Sequence, residues 1–136
     1  MQAATNSELM KKLAIFLFIS ALTLSVHAQE KVAKIDFKED TIDYGEIEQG
    51  SNGVRVFEFT NTGNAPLVIS NVTSSCGCTV PKWTSDPVQP GAKGSIEVKY
   101  DTNRVGPIRK TVNVTSNAET STIALKIKGK VIEKGA

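Results

Sequence analysis

Histidine, methionine and cysteine are scarce in this chain. His27, Met1, Met10, Cys76 and Cys78 are all it holds of the three. Two cysteines are too few for a disulfide-dense miniprotein or for a four-thiolate zinc site within one chain. Aromatic residues make up 6%. The formal net charge is +2, without a block of like charges. That balance gives no electrostatic case for nucleic acid or an anionic membrane as partner. Disorder is excluded by the 40% hydrophobic content. A chain of 136 residues suits one globular domain.

The N-terminal segment narrows the inventory further. Lys11 and Lys12 precede an apolar run, Leu13–Val26. Its length is that of a signal-peptide core and falls short of the roughly 20 residues that span a bilayer. Val26-His27-Ala28 is a small-x-small cleavage pattern, and Met10-Lys11-Lys12 would itself make a normal signal start. Residues 1–28 are therefore expected to be a signal peptide, leaving 29–136 as a single domain. Gln29 follows the cut where a lipoprotein would carry an acylated cysteine. The expected product is exported, to the periplasm first and to the extracellular space as the alternative, with no transmembrane helix in the mature chain. Its partner would be an envelope protein of unknown identity.

Cleavage removes His27, Met1 and Met10. The mature chain then has no imidazole and no thioether. It can build neither a Ser-His-Asp nor a Cys-His pair, neither a histidine zinc site nor a methionine copper site. No catalytic residue, metal site or cofactor is expected, and the chain does not read as an enzyme.

What is present reads as all-β. Short β-rich runs recur between Gly, Pro, Asn and Asp clusters, the pattern of a sandwich. Ile35 and Phe37 alternate with charged neighbours, and Ile42 and Tyr44 form the next run. Val54–Thr60 is a longer strand whose alternation slips at Val56 and Phe57, predicting a bulge or two covered faces. Leu67-Val68-Ile69 follows Pro66. Ile96, Val98 and Tyr100 point one way, and Ser95, Glu97 and Lys99 the other. Val112 and Val114, then Ile123, Leu125 and Ile127, complete about seven strands, with Gly129 placed to reset the phase before Val131. The predicted core is Phe57, Phe59, Ile69, Ile96, Val98, Val112, Val114, Leu125 and Ile127. An immunoglobulin-like Greek-key β-sandwich fits best, although the widely spaced Cys–Trp–Cys set of antibody domains is missing.

Three blocks carry a more specific resemblance: Asp43-Tyr44-Gly45-Glu46-Ile47, the run from Phe57 through Asn61-Thr62-Gly63-Asn64 to Leu67, and Ser75-Cys76-Gly77-Cys78-Thr79. Pro90-Gly91, Gly94, Tyr100-Asp101-Thr102 and Lys110-Thr111 continue it in order. The chain resembles domain-of-unknown-function family 1573, found in secreted proteins of Gram-negative bacteria, over nearly all of 34–131. That family is similar in fold to PapD-like, sperm-protein-like and cilia-associated immunoglobulin modules. The resemblance implies a fold and an envelope location. It supplies no reaction, so function rests on the site.

The chemically distinctive element is Cys76-Gly77-Cys78. In an extended strand, residues i and i+2 face one side about 6.6 Å apart, near the upper limit for a disulfide. Gly77 permits the turn or bulge that would close the bond. A three-residue loop gains only about 1.6 kcal/mol from closure before strain, so such a bond would be a redox-labile or shape device. Four readings stay open: an intramolecular disulfide, two buried thiols packed as small hydrophobes, a thiolate metal site shared between chains or two-coordinate for copper(I), and intermolecular disulfides. Lys82 would lower a thiol pKa if folded nearby. Trp83 reads either as an aromatic contact beside the thiols or as a cap on one end of the core. Gly77, Lys82 and Trp83 form the candidate contact surface around the pair.

Two further features are weaker. Asp40-Thr41-Ile42 looks like a bacterial O-glycosylation acceptor at Thr41, or a polar turn. Lys126, Lys128 and Lys130 alternate on the last strand, either as a ligand-binding basic face or as a solvated face protecting a sheet edge. Two function classes follow. One is a non-catalytic envelope binding or scaffold module. The other is a thiol redox or metal-handling protein centred on Cys76 and Cys78. Strand addition at a sheet edge is a third, weaker idea, against which the lysines of the last strand argue.

Overall fold

In the computed structural model, residues 30–75 and 78–135 are described. Lys31 begins a compact unit that runs to the C-terminus. The expected signal peptide lies outside the described residues. Among the described residues no helix is long and apolar enough to cross a membrane.

Period-2 patterning becomes eight strands among the described residues: β1 Ile35–Phe37, β2 Thr41–Glu48, β3 Val54–Asn61, β4 Ile69–Ser74, β5 Cys78–Trp83, β6 Lys93–Tyr100, β7 Gly106–Ser116 and β8 Thr122–Ile132. They form two four-stranded sheets, ordered β1-β3-β6-β5 and β2-β8-β7-β4. The chain is an immunoglobulin-like β-sandwich. Every pairing between these strands is antiparallel except β2 with β8, which is parallel.

The inner faces are the expected ones. All nine predicted core residues are buried. Tyr44, Leu67, Ile108 and Val131 join them, as do Cys78 and the polar Asn61. Leu67 precedes β4 rather than opening it. Its N–H and C=O exchange bonds with Val88 at 2.9 and 2.8 Å, which tucks the side chain between the sheets.

Several expectations are corrected. The slip in β3 is neither a bulge nor a second covered face. The β3–β6 register runs unbroken from Val54↔Lys99 to Thr60↔Lys93, and Val56 simply points to solvent at 46% exposure. Gly129 does not reset the phase of β8, because Leu125, Ile127 and Val131 share one buried face. Gly129 instead lets β2 approach: a Cβ there would meet the Gly45 carbonyl at 2.8 Å and Tyr44 Cβ at 2.9 Å. The lysines of β8 face solvent but guard no edge, since β8 lies between β2 and β7. They therefore give no argument against strand addition.

The strand absent from the sequence reading is β5. Pro81 and a bulge between Thr79 and Lys82 hide its alternation. Proline is tolerated there because β5 is an edge strand, free of an obligatory second ladder.

Candidate functional site

Cys78 opens β5 opposite Tyr100 of β6. Its backbone is fixed on both sides. The Cys78 N–H donates to the Ser75 carbonyl at 3.3 Å, and Ser74 Oγ donates to the Cys78 carbonyl at 2.9 Å. The residue is 8% exposed and belongs to the core. The expected partner, Cys76, and the hinge, Gly77, lie outside the described residues, and the disulfide expectation lies there with them.

Two tyrosines share this end of the sandwich. The Tyr44 and Tyr100 rings are 6.4 Å apart and tilted by 60°. Arg55 stacks over Tyr44 with its guanidinium carbon 4.3 Å from the ring centroid, a cation–π contact. Tyr44 donates its hydroxyl to the Gly53 carbonyl at 2.7 Å, and the Tyr100 N–H donates to the same carbonyl at 3.1 Å.

Burial dominates the electrostatics. It pushes the Cys78 thiol up, against the opposing pull of the Lys110 and Arg104 charges. The thiol is therefore the neutral form at neutral pH, which is a poor nucleophile and a poor metal ligand. Tyr44 is pushed up to about 12 by burial, with Arg55 opposing and Cys78 and Tyr100 adding. A buried small thiol predicts a definite pattern of substitution. Cys78→Ala should cost about 1 kcal/mol and Cys78→Ser about 2 kcal/mol, because the serine hydroxyl is buried without an assured partner. Urea denaturation measures both. Equal, small losses would place the side chain in contact with solvent.

The other sequence candidates are spread over the molecule. Lys82 pairs with Glu97 at 3.5 Å and is mostly exposed. The charges acting on Cys78 are Lys110 and Arg104 instead. Trp83 is paired with Ile96 and packs partly buried against the core. Its Nε1 is buried and, among the described residues, has no hydrogen-bond partner. Thr41 begins β2 on the other sheet, opposite Lys126, and its hydroxyl donates to Asp40 Oδ1 at 3.0 Å. Sequence reasoning passed over Arg55, Lys110 and Arg104, which come to this end from separate strands and loops. The inward parity of Lys110 with Ile108 and Val112 was a usable signal.

A cleft of about 700 Å³ lies beside the tyrosines, lined by Gly50, Asn52, Gly53, Tyr100, Asp101 and Thr102. The loops that form it are tied across. Gly50 N–H donates to the Thr102 carbonyl at 3.1 Å, and Thr102 Oγ1 donates to the Ser51 carbonyl at 2.7 Å. Among the described residues no three His, Cys, Asp or Glu side chains group as metal ligands.

This architecture has known counterparts. A Porphyromonas gingivalis W83 protein of unknown function superposes with a TM-score of 0.65 at 16% identity, over 78% of this chain and 51% of that one. The PapD-like (ASH) domain 7 of human CEP192 superposes with a TM-score of 0.60 at 12% identity, over 81% and 93%. The secreted serine protease VesC of Vibrio cholerae matches with a TM-score of 0.58 at 16% identity, over 72% of this chain but only 23% of its own. The chain thus spans about half of the Porphyromonas protein and about a quarter of the protease. At these identities the likeness is one of fold. No curated protein matches the chain in sequence. The family model described as "Protein of unknown function (DUF1573)" matches residues 35–131, and the chain belongs to that family.

Proposed function

We propose that this chain is an exported, non-catalytic binding or scaffold module of the bacterial cell envelope. The observation that carries the reading is the burial of Cys78. The most distinctive reactive side chain among the described residues is enclosed in the core and held neutral. What the domain offers outward is surface and sheet edge. The PapD-like neighbour, which matches over nearly its whole length, supports a module of this kind. Export rests on Lys11-Lys12, the Leu13–Val26 run and Val26-His27-Ala28.

One experiment tests both halves. The full chain is expressed in a Gram-negative host, recovered from the periplasmic fraction and analysed by mass with peptide-mapped alkylation. The expected N-terminus is Gln29. At mildly alkaline pH, Cys78 should react at least about tenfold more slowly in the native protein than in denaturant. Recovery in the cytoplasm with residues 1–28 intact removes the envelope reading. Rapid alkylation of Cys78, or a reversible couple in the range of exchange proteins, replaces the module reading with the thiol one.

A further inference from the structure

The outer face of the β2-β8-β7-β4 sheet carries a cluster of cations. Alternation along β8 puts Lys126, Lys128 and Lys130 on one exposed face. The antiparallel register then sets exposed Arg109 of β7 directly opposite Lys128, and Thr111 opposite Lys126. Like charges facing each other across a strand pair are destabilising. Edge protection does not account for them, because β7 and β8 are interior strands.

Nothing among the described residues neutralises the cluster by an ion pair. Ion pairs among the described residues include Lys34–Glu119, Lys38–Glu58, Lys82–Glu97 and Arg104–Asp101. The acidic groups facing the cluster come from β2 and its approach, where Asp43 lies opposite Lys128 and Glu46 opposite Lys130. Asp43 Oδ1 accepts from the Gly45 N–H at 2.8 Å and Asp40 Oδ1 from the Thr41 hydroxyl at 3.0 Å; these carboxylates offset part of the positive charge along β2, but none of them lines the depression between β7 and β8. Arg109, Thr111, Lys126 and Lys128 together line a surface depression of about 410 Å³, floored in part by Ile127.

We propose that this depression binds a phosphate-type oxyanion, as the phosphate monoester of a small molecule or of a headgroup. A guanidinium fork, two ammonium groups and the Thr111 hydroxyl reach it from two strands. A tetrahedral group with three acceptor oxygens and a charge near −2 uses all of these donors. A single planar carboxylate, with one charge and two oxygens, matches fewer of them. The volume falls in the range of small-ligand sites and exceeds what inorganic phosphate alone would fill. The inference does not rest on export or on the state of Cys78.

The test is a titration of the isotopically labelled full chain, followed by amide shifts. Pyrophosphate is one probe, and phosphatidic acid in phosphatidylcholine vesicles is the other. Saturating shifts at Arg109, Thr111, Lys126 and Lys128 are expected, weakening as salt rises. The R109Q/K128Q variant should bind at least about tenfold more weakly, while K34Q/K38Q on the opposite sheet binds like the wild type. Removing a repulsive pair should leave the melting temperature of the first variant unchanged or raised, which separates a lost contact from a lost fold. Saturation by pyrophosphate assigns a free phosphorylated ligand, and response to the vesicles alone assigns the headgroup. Response to neither probe, or equal affinity in the R109Q/K128Q variant, overturns the proposal.

Discussion

Replacing Asn61 with Ala is expected to cost the domain about 3–5 kcal/mol, a large part of an ordinary stability margin. Asn61 is fully buried at the end of β3 and uses every side-chain bond it has within reach. Its Nδ2 donates to the carbonyls of Ala65 at 2.8 Å and Val88 at 2.9 Å. Its Oδ1 accepts from the N–H groups of Gly63 at 3.0 Å and Lys34 at 3.3 Å. One side chain thus ties β1, the β3–β4 turn and the segment before β6. Alanine strips four backbone groups of a partner at once. Val88 keeps a second donor, the Leu67 N–H, so the loss stays below the full sum. Asn61→Asp keeps both acceptor bonds but sets a carboxylate oxygen against the carbonyls of Ala65 and Val88, and should cost at least as much as Ala. Urea unfolding with an unchanged slope measures the cost. A loss under about 1 kcal/mol would show that water takes over the four bonds.

Gly53→Ala should be the next most damaging substitution, at about 3 kcal/mol. Its Cβ would stand 2.2 Å from the Tyr100 carbonyl oxygen and 2.9 Å from Thr102 Cγ2. The nearest obstacle is backbone on a paired strand, so it cannot swing aside. The Gly53 carbonyl also holds the Tyr44 hydroxyl and the Tyr100 N–H. Displacing it opens the tyrosine end of the sandwich. Tyr44, held near 12 by burial, should then titrate closer to the ordinary value of about 10. The sign follows from burial disfavouring the phenolate: less burial, lower pKa. Ultraviolet titration of the variant reads this directly. An unchanged stability together with an unchanged tyrosine profile would mean that the two loops part without loss.

The core faces were legible because each depends on its own strand. Ile96-Glu97-Val98-Lys99-Tyr100 needs no partner to say which side is buried. The pleat sends alternate side chains to opposite faces wherever the strand sits. The same local rule misread Val56, because an isolated valine on a solvent face looks like a change of phase. It missed β5 altogether, because Pro81 and the bulge break the alternation at an edge where the sheet tolerates both.

From its sequence alone this chain is an all-β sandwich whose only histidine and methionines lie in a leader-like N-terminal segment. Those properties are sums over residues or follow from period-2 alternation. Tertiary structure alone decided which strands became neighbours, because pairing joins residues far apart along the chain. It placed β8 inside a sheet, beside a parallel β2, so that its lysines guard no edge. It brought Lys110 and Arg104 to bear on Cys78 while Lys82 went to Glu97. It turned Asn61, the last residue of β3, into the buried hub of three segments. It also set Arg109 against Lys128, a like-charge pair that forms only when β7 and β8 align in this register.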